Sequence, residues 1–139
     1  MELDVLRDRW AAARAGLYEL FVEMENTPYL DFTPFEGARD IRGILRHIAH
    51  EEEIEVTWGA RRAADELPQE PADEDYPTLE DIRALLEEVH AGTEEYVEAL
   101  SQDDLDAELE TAWEEQTRLG DLLWHVLEHE IHQTVARCP

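Results

Sequence analysis

The chain contains no lysine. Its eleven basic side chains are all arginine and stand against 36 aspartates and glutamates, for a formal net charge of −25. Such a surface repels DNA, RNA and anionic lipid, so nucleic-acid and membrane-surface partners are excluded as the basis of function. The single cysteine, Cys138, cannot close an internal disulfide, which fits a reducing compartment. No apolar run approaches the roughly 20 residues that a bilayer demands. The opening MELDVLRDRW has neither a basic start followed by an apolar stretch nor a small-residue cleavage site. A cytoplasmic protein is the expectation. Alternation with period two is never sustained and no internal repeat is visible, so no segment reads convincingly as a strand.

What is present is a folded, acidic chain. Apolar residues make up 43% of the 139 and include four tryptophans, which argues against disorder and for one domain spanning residues 1–139. Most of the negative charge reads as solvated surface with no specific partner. Four segments carry the helical apolar period. The first covers residues 3–24, with Leu6, Trp10, Leu17, Leu20, Phe21 and Met24 on one stripe, and ends in a loop over 26–37 marked by two prolines and a glycine. The second runs from about Ala38 to Asp65, with Ile41, Ile44, Leu45 and Ile48 three and four apart. It stops before the proline-rich, acidic LPQEPADEDYP. Thr78 caps the third, whose buried face is drawn from Leu79, Ile82, Leu85, Leu86, Val89, Tyr96, Val97 and Leu100, with Gly92 a weak point rather than a break. The fourth extends from about Thr117 to Arg137. The expected fold is all-α, an antiparallel four-helix bundle whose two longer loops interrupt simple up-and-down order.

The fourth segment contains HVLEHEIHQ. At about 100° per residue, His125 and His129 differ by about 40° around the helix and His129 and His132 by about 60°, so either pair can share an ion. His125 and His132 lie about 10 Å apart along the axis, too far for all three to bind one metal without distortion. His129 is common to both pairs and sits at the edge of the apolar stripe. His47, beside Ile44 and Glu51, has the same relation to the stripe of the second helix. Facing helices of a bundle build metal sites in this way, and imidazole suits zinc, nickel or iron better than magnesium or calcium. HEIHQ misses the zinc-protease HExxH pattern because residue 133 is Gln133, which leaves Glu130 without an established role as a general base.

Three stretches extend the argument: RDIRGILRHIAHEEEIEVTWGARRA, TLEDIRALLEEVHAGTEEYVEALSQDDLDAEL and RLGDLLWHVLEHEIHQ. Together, over roughly residues 5–135, they resemble the DinB-like proteins, of the same superfamily as the bacillithiol and mycothiol transferases. The resemblance implies a divalent-metal site in a cavity of the bundle, built from a histidine on the second helix and two histidines four apart on the fourth. The matching positions are His47, His129 and residue 133, where the chain has Gln133 followed by Thr134, Val135 and Ala136 instead of the family's histidine, arginine, glycine and glutamine. Three outcomes stay open: Gln133 coordinates through its amide oxygen, His132 replaces it through a distorted helix end, or the site is vestigial.

With an intact site, the resemblance implies a metal-dependent thiol S-transferase. A zinc, nickel or iron ion would activate a low-molecular-weight thiol against a small electrophile, with water or thiol in the open position. In that arrangement Glu51 orients the His47 ring, while Trp58 and Trp124 either line the cavity or belong to the core. The competing reading is a non-catalytic binding or structural bundle with a degenerate site. A homodimer formed through an apolar helix face is compatible with both.

Overall fold

The computed structural model describes residues 2–25, 27–33, 35–63, 65–111 and 113–135. Cys138 lies outside them, as do the last residues of the fourth segment up to Arg137.

Helix α1 spans Leu3–Met24, α2 Ile41–Glu52, α3 Leu79–Ala99 and α4 Leu119–Val135. Local chemistry sets several of these ends. Asp40 accepts a hydrogen bond from the Gly43 N–H at 2.8 Å, and Thr78 accepts one from the Asp81 N–H at 3.1 Å, so each cap satisfies a donor that the first helical turn leaves open. Gly92 does not interrupt α3. A Cβ at that position would stand 2.5 Å from the Arg61 guanidinium, so the glycine makes room for an arginine from the neighbouring segment.

Two departures from the expected helices matter. The second segment is not one α-helix: α2 continues as a π-helix over Glu53–Ala60, closed by Arg62 at a positive φ of 54°. The wider turn brings the consecutive residues Ile54, Glu55 and Val56 into the interior, which a 3.6-residue period cannot do. The start of the expected fourth helix is instead a short antiparallel hairpin, β1 (Glu108–Glu110) with β2 (Gln116–Arg118), in the register Glu108 to Arg118. Its strands are too short to show a period in the sequence.

Helices α1 and α2 each pack against both α3 and α4. Consecutive helices α1 and α2 therefore lie across a diagonal, as do α3 and α4, so the crossovers are the α1–α2 and α3–α4 connections, while the proline-rich stretch expected to be one of them joins the neighbouring helices α2 and α3. Among the described residues no helix is long and apolar enough to cross a membrane.

The interior has three layers. Leu3, Leu6, Trp10, Val56, Val97, Leu119, Leu123 and Leu127 fill one end, and Leu17, Phe21, Leu45, Ile48, Ile82 and Leu86 fill the other. Between them lies a polar layer of Arg14, Glu52, His90, Thr93 and Glu130, each at most 4% exposed. On every helix the polar residue sits where the apolar stripe would otherwise continue: Arg14 between Trp10 and Leu17, Glu52 between Ala49 and Val56, His90 and Thr93 between Leu86 and Val97, Glu130 after Leu127.

Candidate metal centre

The buried layer turns on Arg14. Its Nη2 donates to Glu52 Oε1 and to Glu130 Oε1, both at 2.6 Å, and Nη1 donates to the Leu86 carbonyl at 3.3 Å. Glu52 Oε2 accepts from Thr93 Oγ1 at 2.7 Å and from His90 Nδ1 at 3.1 Å. A carboxylate carries no proton, so the tautomer with hydrogen on Nδ1 is the one that bonds. Burial alone would push the Glu52 carboxyl up, but the His90 bond, the Arg14 charge and the Thr93 hydroxyl together hold it below the ordinary carboxylate range. For Glu130 burial wins over Arg14, with the Glu52 charge adding to it, and its carboxyl is raised. One guanidinium thus serves an ionised carboxylate and a second acid that is harder to ionise. Residues one position along the same helices, Glu51 beside Glu52 and His129 beside Glu130, face a different seam.

That seam runs between α2 and α4. The His47 and His129 rings lie edge to face, with centroids 6.0 Å apart and planes at 63°. His50 stands 6.2 Å from His47, and His125 stands 6.4 Å from His129, so four imidazoles follow one another across the two helices. His47 Nδ1 donates to Glu70 Oε1 at 3.0 Å, and Glu70, carried by the 61–78 connection, is also paired with Arg39 at 3.2 Å. Burial pushes the Glu70 carboxyl up, but the His47 hydrogen bond and the Arg39 charge hold it below its usual value. On the other side of the ring, His47 Nε2 lies 3.3 Å from Glu51 Oε1. Glu70 thus holds the ring through Nδ1, and Glu51, expected from the sequence to orient it, lies at the other nitrogen.

His129 is half-buried and its pKa is lowered, first by burial and then by the neighbouring histidines, with Glu51 opposing. The lowering favours the neutral ring, the form that binds a metal ion. His125, Glu128, His129, Ile131 and His132 line an open groove of about 480 Å³ on the outer side of α4. Trp58 and Trp124 are not part of it. Trp124 packs against the core, with an Arg9 guanidinium over its ring, and Trp58 lies beneath Arg62. Next to the seam, Glu55 is 5% exposed and its carboxyl is raised by burial, against the His125 charge and a hydrogen bond with the Trp113 side chain.

Of the four residues singled out from the sequence, His47 and His129 are brought together. His132 is exposed on the outer face of α4 and Gln133 is half-buried. Among the described residues no three His, Cys, Asp or Glu side chains already converge on one point as a metal would require. Imidazole nitrogens, a carboxylate beside them and a second carboxylate orienting one ring are nevertheless the donor chemistry of a borderline divalent ion. The residues suit such an ion in kind, while the described side chains bring only the His47 and His129 rings together rather than three ligands.

The family model of the DinB superfamily matches residues 2–134 of the chain. No curated protein matches it.

Proposed function

The chain belongs to the DinB superfamily, and from that premise we propose that it is a divalent transition-metal-binding bundle, with His47 and His129 as ligands from facing helices. The observation that carries this reading is the 6.0 Å approach of the two rings, with His47 Nδ1 already tied to Glu70 and Nε2 left facing the seam. A carboxylate bonded to the far nitrogen of a ligand histidine fixes its tautomer and raises its basicity, and such partners are worth about 10–100-fold in affinity.

The activity this arrangement suits is metal-dependent transfer of a low-molecular-weight thiol to a small electrophile. A bound ion would lower the thiol's pKa so that thiolate is present near neutral pH. The chain's own residues would do the rest: Glu70 holds the His47 ring, His129 stays neutral, and the groove along His125, Glu128 and His132 gives a small molecule access from solvent. A non-catalytic bundle with a degenerate site is the second reading. It is favoured by Gln133 at the family's third ligand position and by the lack of three converged side chains among the described residues.

Metal analysis of protein purified without a histidine tag separates the readings. About one zinc, nickel or iron per chain is expected, falling to background in the His47→Ala, His129→Ala double variant. Equal metal in both proteins removes the metal-binding reading, and with it the thiol transfer.

A further inference from the structure

We propose that the cleft between α1 and α3 is a second binding site, for a small neutral molecule with one hydroxyl group on an apolar body. The hydroxyl donates to His90 Nε2 and accepts from the Trp10 indole N–H. The cleft lies on the face opposite the α2–α4 seam, so the inference stands apart from the metal-binding reading.

The cleft is a pocket of about 190 Å³ between Arg7, Trp10 and Ala11 of α1 and His90, Glu94 and Val97 of α3. Spacings of three, four and seven put each set on one face of its helix. Pockets that take drug-sized molecules measure about 300–1,000 Å³, so the occupant here is smaller. Trp10, Ala11 and Val97 supply apolar walls. The Arg7 guanidinium is committed to the end of α3, where Nη2 donates to the Val97 carbonyl at 2.8 Å and the Glu98 carbonyl at 3.1 Å. With that cation engaged, the carboxylates of Glu94 and Glu98 at the rim disfavour an anionic occupant.

Inside, the polar groups lack what a hydroxyl supplies. His90 is only 4% exposed, and its Nδ1 donates inward to Glu52, so the neutral ring presents a bare Nε2 as acceptor on its other side. Nε2 stands 3.3 Å from Glu94 Oε1, and in this tautomer both atoms are acceptors with no hydrogen between them. The Glu94 side chain is 67% exposed and can swing into solvent to make room. Trp10 is 3% exposed, and its Nε1–H, which can only donate, has no hydrogen-bond partner among the described residues. Buried donors are seldom left in that state. The Trp10 and His90 rings have centroids 5.5 Å apart, within the span of one oxygen that makes hydrogen bonds of about 2.9 Å to each. A hydroxyl donates and accepts at once, whereas an ether or carboxylate only accepts and an ammonium only donates.

Nuclear magnetic resonance of the intact protein at pH 8, observing the Trp10 indole N–H and the His90 ring, tests the site with phenol as probe. Phenol is expected to shift both signals saturably, with a dissociation constant on the order of 1 mM. Anisole, the same ring without the O–H, is expected to bind about tenfold more weakly. His90→Asn keeps an N–H near the Nδ1 position for Glu52 and removes Nε2, and is expected to weaken phenol about tenfold while leaving anisole unchanged. Trp10→Phe, which removes the indole donor, is expected to weaken phenol about fivefold, read at the His90 ring. The His47→Ala, His129→Ala double variant is expected to bind phenol as the parent does. Circular dichroism confirms that each variant is folded, and the comparison of phenol with anisole needs no variant. Phenol that produces no saturable shift at Trp10 and His90 overturns the site. Anisole bound as tightly as phenol, or unchanged phenol binding in His90→Asn, overturns the role of His90. Benzoate bound more tightly than phenol overturns the choice of a neutral occupant.

Discussion

Replacing Arg14 by methionine is expected to lower the unfolding free energy by about 3–5 kcal/mol, the usual cost of removing one partner from a buried ion pair. The reason is the geometry of the middle layer. Arg14 donates 2.6 Å hydrogen bonds to Glu52 and Glu130 while only 4% exposed, in a layer closed above and below by apolar side chains. Urea unfolding at neutral pH measures the loss. A change below about 1 kcal/mol would show that Glu52 is held by His90 and Thr93 alone.

The two carboxylates should then behave oppositely. Glu52, held below its unfolded value, contributes stability that is present above the ordinary carboxylate pKa and is lost as pH falls through the folded value. Glu130 is raised, so the folded chain binds more protons than the unfolded one between the two values, and stability falls as pH rises through that window. Glu130→Gln removes this slope and keeps an acceptor for Arg14. Its stability relative to the parent therefore rises with pH above the ordinary carboxylate range, whereas Glu52→Gln loses stability relative to the parent as pH rises toward that range from below and stays level beyond it.

The second large effect concerns the seam between α2 and α4. With free metal at about 100 times its dissociation constant, the folded state gains about 2.7 kcal/mol, which raises the melting temperature of a chain this size by roughly 10 °C. His47→Ala is expected to reduce that rise to roughly 2 °C or less while leaving the metal-free melting temperature close to that of the parent, because His47 touches Glu51, Glu70 and other histidines rather than the apolar layers. Differential scanning fluorimetry with zinc, nickel and a chelator control gives both numbers. An undiminished rise in His47→Ala would mean that the ion stabilises the fold from another place, the exposed His125 and His132 being the first to examine.

The parts of the fold that were legible in the sequence are those with long, regular apolar periods. Residues 3–24 and the Thr78-capped third helix stand where periodicity and capping put them, because a long run of stripe residues outweighs any local irregularity. The π-helix was not legible, since eight residues hold fewer than two wide turns and EIEVTWGA fits an α-helical stripe almost as well. The hairpin escaped for a similar reason: three residues per strand carry too little pattern, and their pairing is decided across the Trp113 turn.

At the site, the sequence brought His47 and His129 together but said nothing of Glu70, which reaches His47 from a connection with no period to place it. The buried layer was missed because Glu52 and Glu130 are two acids among 36. Register was the available signal, since Arg14 falls on the α1 stripe where a leucine would be expected.

Crystals grown with zinc and measured above the zinc absorption edge would test the central claim most directly. The account predicts one anomalous peak per chain between the ring nitrogens of His47 and His129, within about 2.3 Å of both. A peak bound only by His125 or His132 on the outer face of α4, or a well-ordered seam with no peak, would contradict it.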